Sequence, residues 1–227
     1  MREVKRVNHY PISRQQPWTQ TASIYGVTVY YPAIYPYRSI PLHSILCISK
    51  AEAQLNQLWR SLWEQHVAWT RMLIISIAGN LADEKYVTER LLRNAPDMAA
   101  VFKKYYGDRA AARFNQLLTD HLVIAAELVK AAKAGDQHRA ANAEKRWYAN
   151  ADEIAEFLSS INPYWSKEEW TKMLHEHLRL TKDEAVYQLT GQYKSSIETY
   201  DLIEKQALEM ADMLTKGIVQ QFPKMFS

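Results

Sequence analysis

The sequence predicts an all-α protein: a four-helix bundle with short crossover helices and an extended N-terminal arm. Three observations predict it. From Ser49 onward, apolar residues recur at spacings of three and four, the period of a helix with one buried face. Only six glycines occur in 227 residues, too few for a chain built from tight turns. All eight prolines fall outside the proposed long helices, where proline would break the hydrogen-bond ladder.

Residues 1–48 form the arm. They hold five of the eight prolines and many tyrosines. Pro32, Pro36 and Pro41 prevent a continuous helix and favour extended chain. Val27-Thr-Val-Tyr-Tyr reads as a short strand. Such an arm is expected to pack on its own bundle; exchange with a second subunit, giving a homodimer, is the alternative.

Residues 49–227 form the bundle domain. Ser49-Lys-Ala-Glu52 is a capping box, and helix A follows over 50–78 on Leu55, Leu58, Trp59, Leu62, His66, Trp69, Leu73 and Ile77. Gly79-Asn80 ends it. A short helix runs from Asp83 to about Arg93, and Asn94-Ala-Pro96 caps another that reaches about Tyr106. Gly107-Asp108 opens helix B on Phe114, Leu117, Leu118, His121, Ala125, Leu128 and Ala132. Gly135-Asp136 turns into helix C on Ala143, Trp147, Asn150, Ile154 and Leu158, which Asn162-Pro163 stops. Ser166-Lys-Glu-Glu169 and Thr181-Lys-Asp-Glu184 read as two more capping boxes framing short helices. Helix D spans about 193–218 on Ile197, Tyr200, Ile203, Gln206, Met210 and Leu214.

The order of long helix, two short helices and long helix thus occurs twice, over about 50–134 and 136–219. Trp63, His66 and Ile77 align with Trp147, Asn150 and Ile161. Leu118 and His121 align with Ile203 and Gln206. Identities are few, so internal duplication and chance similarity of two helical patterns both stand. Pseudo-symmetric bundles with crossovers are a known architecture.

Composition excludes several function classes. A hydrophobic fraction of 48% and a charged fraction of 23% are globular values. The net charge of +3 is weak, and Lys and Arg alternate with acids, so no nucleic-acid surface is expected. The single Cys47 excludes an internal disulfide and a cysteine-rich zinc site, and it reads as a packed, inert thiol. The N-terminal segment has no apolar stretch behind its charges, and no run approaches the ~20 residues of a membrane span. A cytoplasmic chain that does not engage membranes is expected.

The candidate site is a layer of buried polar residues. His66, His121, Asn150 and Gln206 lie about 13–16 residues into helices A, B, C and D. At about 1.5 Å per residue they share one level. A buried imidazole requires a partner. One reading is mutual hydrogen bonding; the other is that His66 and His121 face a bound metal or small polar ligand. In His175-Glu176-His177 the two rings diverge by about 200°, so one, His177, points inward. His66, His121 and His177 could then supply three nitrogens to a divalent metal, an outline like the metal sites of helical thiol transferases, whose motif is missing here. Among acids, Asp201 and Glu204 flank the Gln206 level, while Arg71 and Glu64 leave the His66 face and are assigned surface roles. The tryptophans, three of them on helix A, read as core.

Familiar catalytic motifs are missing. No histidine has an acid three residues before it, as carboxylate-bridged di-iron bundles require. There is no His-Glu-x-x-His, no glycine-rich phosphate loop and no nucleophile signature. The expectation leans away from an enzyme, with a metal-dependent one as the weakest alternative.

The strings Glu64-Gln-His66-Val-x-Trp69-Thr-Arg71, Leu117-Leu-x-x-His121-Leu and Ile161-Asn-Pro-Tyr-Trp165 resemble an uncharacterised all-helical family of spore-forming Firmicutes. The resemblance runs from about residue 58 to the C-terminus. Some members carry the label acetylglutamate kinase; that activity belongs to α/β proteins with glycine-rich phosphate loops, which this sequence lacks. The resemblance implies a recurring fold and supplies no catalytic residue. Two functions are therefore expected in competition: a binding protein with a metal or small-ligand site, or a structural or interaction protein, sporulation-related by the resemblance, whose polar layer only holds the fold.

Overall fold

In a computed structural model the described residues are the strands Trp18–Ile24 and Val27–Pro32 and everything from 48 to 227. The chain divides into two units, Met1–Cys47 and Ile48–Ser227. In the first, β1 (Trp18–Ile24) pairs antiparallel with β2 (Val27–Pro32), with an irregularity between Trp18 and Gln20. The expected strand at Val27 is thus one arm of a hairpin. The course of the proline-rich remainder, the environment of Cys47 and the proposed arm exchange lie outside the described residues.

The second unit is all-α. Its helices are α1 (Lys50–Gly79), α2 (Glu84–Leu92), α3 (Asn94–Lys133), α4 (Gln137–Ile161), α5 (Lys167–Leu189) and α6 (Tyr193–Gln221), with a 3-10 turn at Pro223–Met225. No described helix is long and apolar enough to cross a membrane.

The starts and stops follow local chemistry. Ser49 caps α1 by accepting from the Glu52 amide at 3.1 Å, and Asn80 closes it in the left-handed conformation. Asp136 caps α4 through the Arg139 amide, and Ser166 caps α5 through the Glu169 amide. The two helices expected over 94–132 follow one another within α3 and meet at a break at Gly107. Its φ of 78° with ψ of 179° is a conformation only glycine takes without strain.

Two expectations are corrected. Thr181 does not cap a new helix, because α5 runs unbroken from Lys167 to Leu189. No glycine or proline interrupts that stretch, and the Thr181 hydroxyl donates back to the His177 carbonyl at 2.8 Å, a bond made inside a helix. Leu58 and Ile197, expected on apolar stripes, are 46% and 53% exposed. Val67 and Ile74 are buried in the α1 stripe.

Contacts order the helices. Lys133, in the last turn of α3, donates to the Ile77 carbonyl in the last turn of α1, so the two run parallel. In α6, Asp212 pairs with Arg60 while Ser196 receives Arg71, so α6 runs antiparallel to α1. The direction of α5 matches α1, because Arg71 pairs with Glu184 and His66 lies beside His177. The core holds Trp59, Trp165, Trp170, Phe102 and Met210, each fully enclosed. A second, smaller apolar cluster around Leu73, Ile77, Leu91 and Leu122 occupies the end where α1 and α3 finish.

Candidate functional site

Three parallel helical segments each bring one histidine to the same level. His66 on α1, His121 on α3 and His177 on α5 are each 3% exposed. The rings of His66 and His121 are 6.5 Å apart between centroids, and those of His66 and His177 are 5.7 Å apart. All three line a small cavity of about 20 Å³, walled otherwise by residues such as Trp63, Leu118 and Trp170. That is room for about one water-sized guest.

Two of the histidines are each held by an asparagine, and beside the third a glutamine binds its helix in the same register. His66 Nδ1 meets Asn94 Oδ1 at 3.1 Å, and Asn94 Nδ2 donates to the Leu62 carbonyl at 3.0 Å. His121 Nδ1 meets Asn150 Oδ1 at 2.9 Å, and Asn150 Nδ2 donates to the Leu117 carbonyl at 3.0 Å. Gln206 Nε2 donates to the Met173 carbonyl at 2.9 Å. In every unit the carbonyl lies four residues before the histidine, on its own helix. The carbonyl can only accept, so it fixes which amide atom faces it and turns the amide oxygen towards the ring. An oxygen there requires a proton on Nδ1. The lone pair is left on Nε2.

The third unit is looser. His177 Nδ1 and Gln206 Oε1 are buried and close no hydrogen bond, although Gln206 still raises the His177 pKa against burial. Gln206 is half-buried, unlike Asn94 and Asn150; its longer side chain holds the ring less firmly.

Burial keeps the histidines neutral. Desolvation pulls His66 down to about 4, opposed by its bond to Asn94. His121 falls to about 3, through desolvation and then the nearby His66, opposed by Asn150. His177 is held well below 6.5 by desolvation and by both other histidines. Neutral imidazole with a free lone pair is the form that binds metal. As they stand, however, the rings are not drawn in around a common point: among the described residues no group of three His, Cys, Asp or Glu side chains has metal-ligand spacing.

The residues expected at one level thus sort into pairs. Asn150 serves His121, and Gln206 serves His177. His66 takes Asn94, which its place at a helix start disguised as a cap. One signal was in the sequence: an amide side chain follows each histidine after 28 or 29 residues. His177 points inward and His175 outward, where it bonds Asp152 at 2.8 Å. Asp201 and Glu204 do not reach the layer: Asp201 is exposed and Glu204 half-buried, so no acid on α6 serves the histidines. Arg71, assigned to the surface, instead forms a half-buried ion pair with Glu184. The core role of Trp59, Trp63, Trp147, Trp165 and Trp170 is found.

Fold and site define a class: an all-α unit whose helices enclose a layer of three neutral histidines, two of them held by asparagines. Comparison with protein-family models, with curated proteins and with solved structures finds no match to this chain.

Proposed function

We propose that the helical unit is a metal-binding helical bundle, in which His66, His121 and His177 bind one divalent first-row transition ion through Nε2. The observation that carries this is the threefold unit of histidine, amide and carbonyl. At His66 and His121 it sets the Nδ1–H tautomer, and an outer-shell partner of this kind orients metal-binding histidines generally. Three nitrogens with a fourth position left to water are a zinc-like donor set. Imidazoles on one tetrahedral ion, with bonds of about 2.0–2.1 Å, would place ring centres about 5 Å apart. The rings therefore have to draw together, and the loosely held His177 is the one able to move. The activity is binding; the layer contains no carboxylate for acid–base work. Duplication of the halves 50–134 and 136–219 belongs to the same proposal, supported by the mid-helix polar residues His66 and His121 in the first half and Asn150 and Gln206 in the second.

The test is metal content. Protein purified without a histidine tag, given equimolar zinc or cobalt and examined by native mass spectrometry, should carry one ion. Cobalt should show the visible bands of a low-coordinate site. His66→Ala, His121→Ala and His177→Ala should each lose it. A metal-free spectrum under saturating cobalt, with the protein folded, would overturn the proposal.

The present ring spacing favours a second reading, in which the layer is structural and fixes helix register. In that case the three variants lose stability but no ligand.

A further inference from the structure

Beyond the histidine layer, where α1, α3 and α5 finish and α4 begins, the packing leaves a cavity of about 250 Å³. Leu73, Ile74, Leu122 and Val129 give it aliphatic walls, and Ala126 and Ala185 stand where larger side chains would fill it. On the side of the histidines it is bounded by Thr70, Thr181 and Trp147. Thr70 and Thr181 lie one turn after His66 and His177 and donate to their carbonyls at 2.7 and 2.8 Å. Their hydroxyl protons are thereby engaged, which makes that wall less polar. The Trp147 ring lies 5.4 Å from that of His121. Lys182 and Glu144 also border the cavity; they pair with each other at 2.6 Å and are about one-third exposed.

We propose that this cavity binds an uncharged, mainly aliphatic small molecule of about ten non-hydrogen atoms with one polar end. Size follows from volume, since aliphatic cavities of about 150 Å³ take up benzene. Charge follows from the border: Lys182 and Glu144 neutralise each other, so a charged head would have to break their pair, whereas a hydroxyl can donate to one and accept from the other. The wall made by Thr70 and Thr181 lies one helical turn from the histidines. The site does not depend on a metal there.

The test uses full-length protein in EDTA and the straight-chain alcohols from butanol to dodecanol, with Trp147 in the cavity wall as the fluorescent reporter and calorimetry in parallel. Affinity should rise about fourfold per methylene and stop rising near ten non-hydrogen atoms. Octanoate and octylammonium should bind at least tenfold more weakly than octanol. Ala126→Leu and Ala185→Leu should weaken octanol at least tenfold without lowering Tm. No saturable binding, a rise with chain length that never levels, a charged congener that binds tighter, or unchanged affinity in the folded filled variants would each overturn the proposal. Because metal is absent throughout, failure here leaves the histidine reading standing, and the reverse also holds.

Discussion

Arg71 on α1 and Glu184 on α5 form a lopsided ion pair: the Glu184 side chain is 2% exposed and that of Arg71 19%. Arg71 also donates to the Ser196 hydroxyl at 3.2 Å and lies over the Tyr200 ring. Burial pushes Glu184 up to about 7 even with the guanidinium beside it. The pair therefore joins three helices around an acid that titrates near neutrality.

Arg71→Ala should leave a buried acid without its partner and cost about 3–5 kcal/mol at pH 8. The cost should shrink at pH 6, where Glu184 can take a proton and stay buried neutral. Glu184→Gln, which mimics that proton, should cost less at both pH values. Urea midpoints for both variants check this; an Arg71→Ala penalty that does not vary with pH would contradict it.

Acid should destabilise the metal-free protein from about pH 6.5 downward. The three histidines have folded values below 6.5. Unfolded chains therefore take up protons first, and the stability present above 6.5 is lost as the pH falls towards about 4 and 3. Each histidine contributes a slope of up to roughly 1.4 kcal/mol per pH unit. Glu184 works in the opposite direction. Its folded value of about 7 lies above the ordinary 4.5, so the folded state gains as pH falls between them. Glu184→Gln should steepen the acid limb of a Tm-against-pH curve.

Asn94→Ala should destabilise by at least about 2 kcal/mol. It strips His66 Nδ1 of its acceptor and the Leu62 carbonyl of its donor, and each orphaned buried group costs roughly 1–3 kcal/mol. Nitrogen-15 NMR of the imidazole should show the Nδ1–H tautomer of His66 in the parent. Its persistence as the sole form in Asn94→Ala would mean that the amide does not set it.

Gly217→Ala should be among the most damaging small substitutions. A Cβ at Gly217 would come within 1.9 Å of Trp165 Nε1, an atom that donates to the Met213 carbonyl at 3.1 Å. Trp165 is 2% exposed and cannot swing into solvent. A loss of about 3 kcal/mol or more in urea denaturation is expected, since overpacking in a closed core displaces backbone.

Much of this architecture was legible in the sequence because its signals are local. Ser49, Asp136 and Ser166 announce helix starts, Gly107 a break and Pro163 a stop, each through its own backbone chemistry. His66, His121 and His177 were legible as candidates because a polar residue on an apolar stripe is conspicuous. Partners were harder. Asn94 looks like a cap from its neighbours, and Thr181 beside Glu184 has the spacing of a capping box. Only the fold shows that one hydroxyl turns back along its helix and that the acid reaches Arg71, 113 residues away. Which residue meets which across helices depends on helix order and rotation, which periodicity leaves open.

The short sequence interval within each histidine–amide pair bears on how the chain folds. His66 finds Asn94 after 28 residues and His121 finds Asn150 after 29. Each contact closes a loop of modest entropy within a neighbouring pair of helices, without waiting for the ends of the chain to meet. The layer can form piecewise, pair by pair, while the closure of α6 on α1, marked by Arg60 and Asp212 at a separation of 152 residues, carries the larger loop-closure entropy. Proteins rich in such near-neighbour contacts fold fast. For this chain the polar interior that specifies the native register need not delay reaching it.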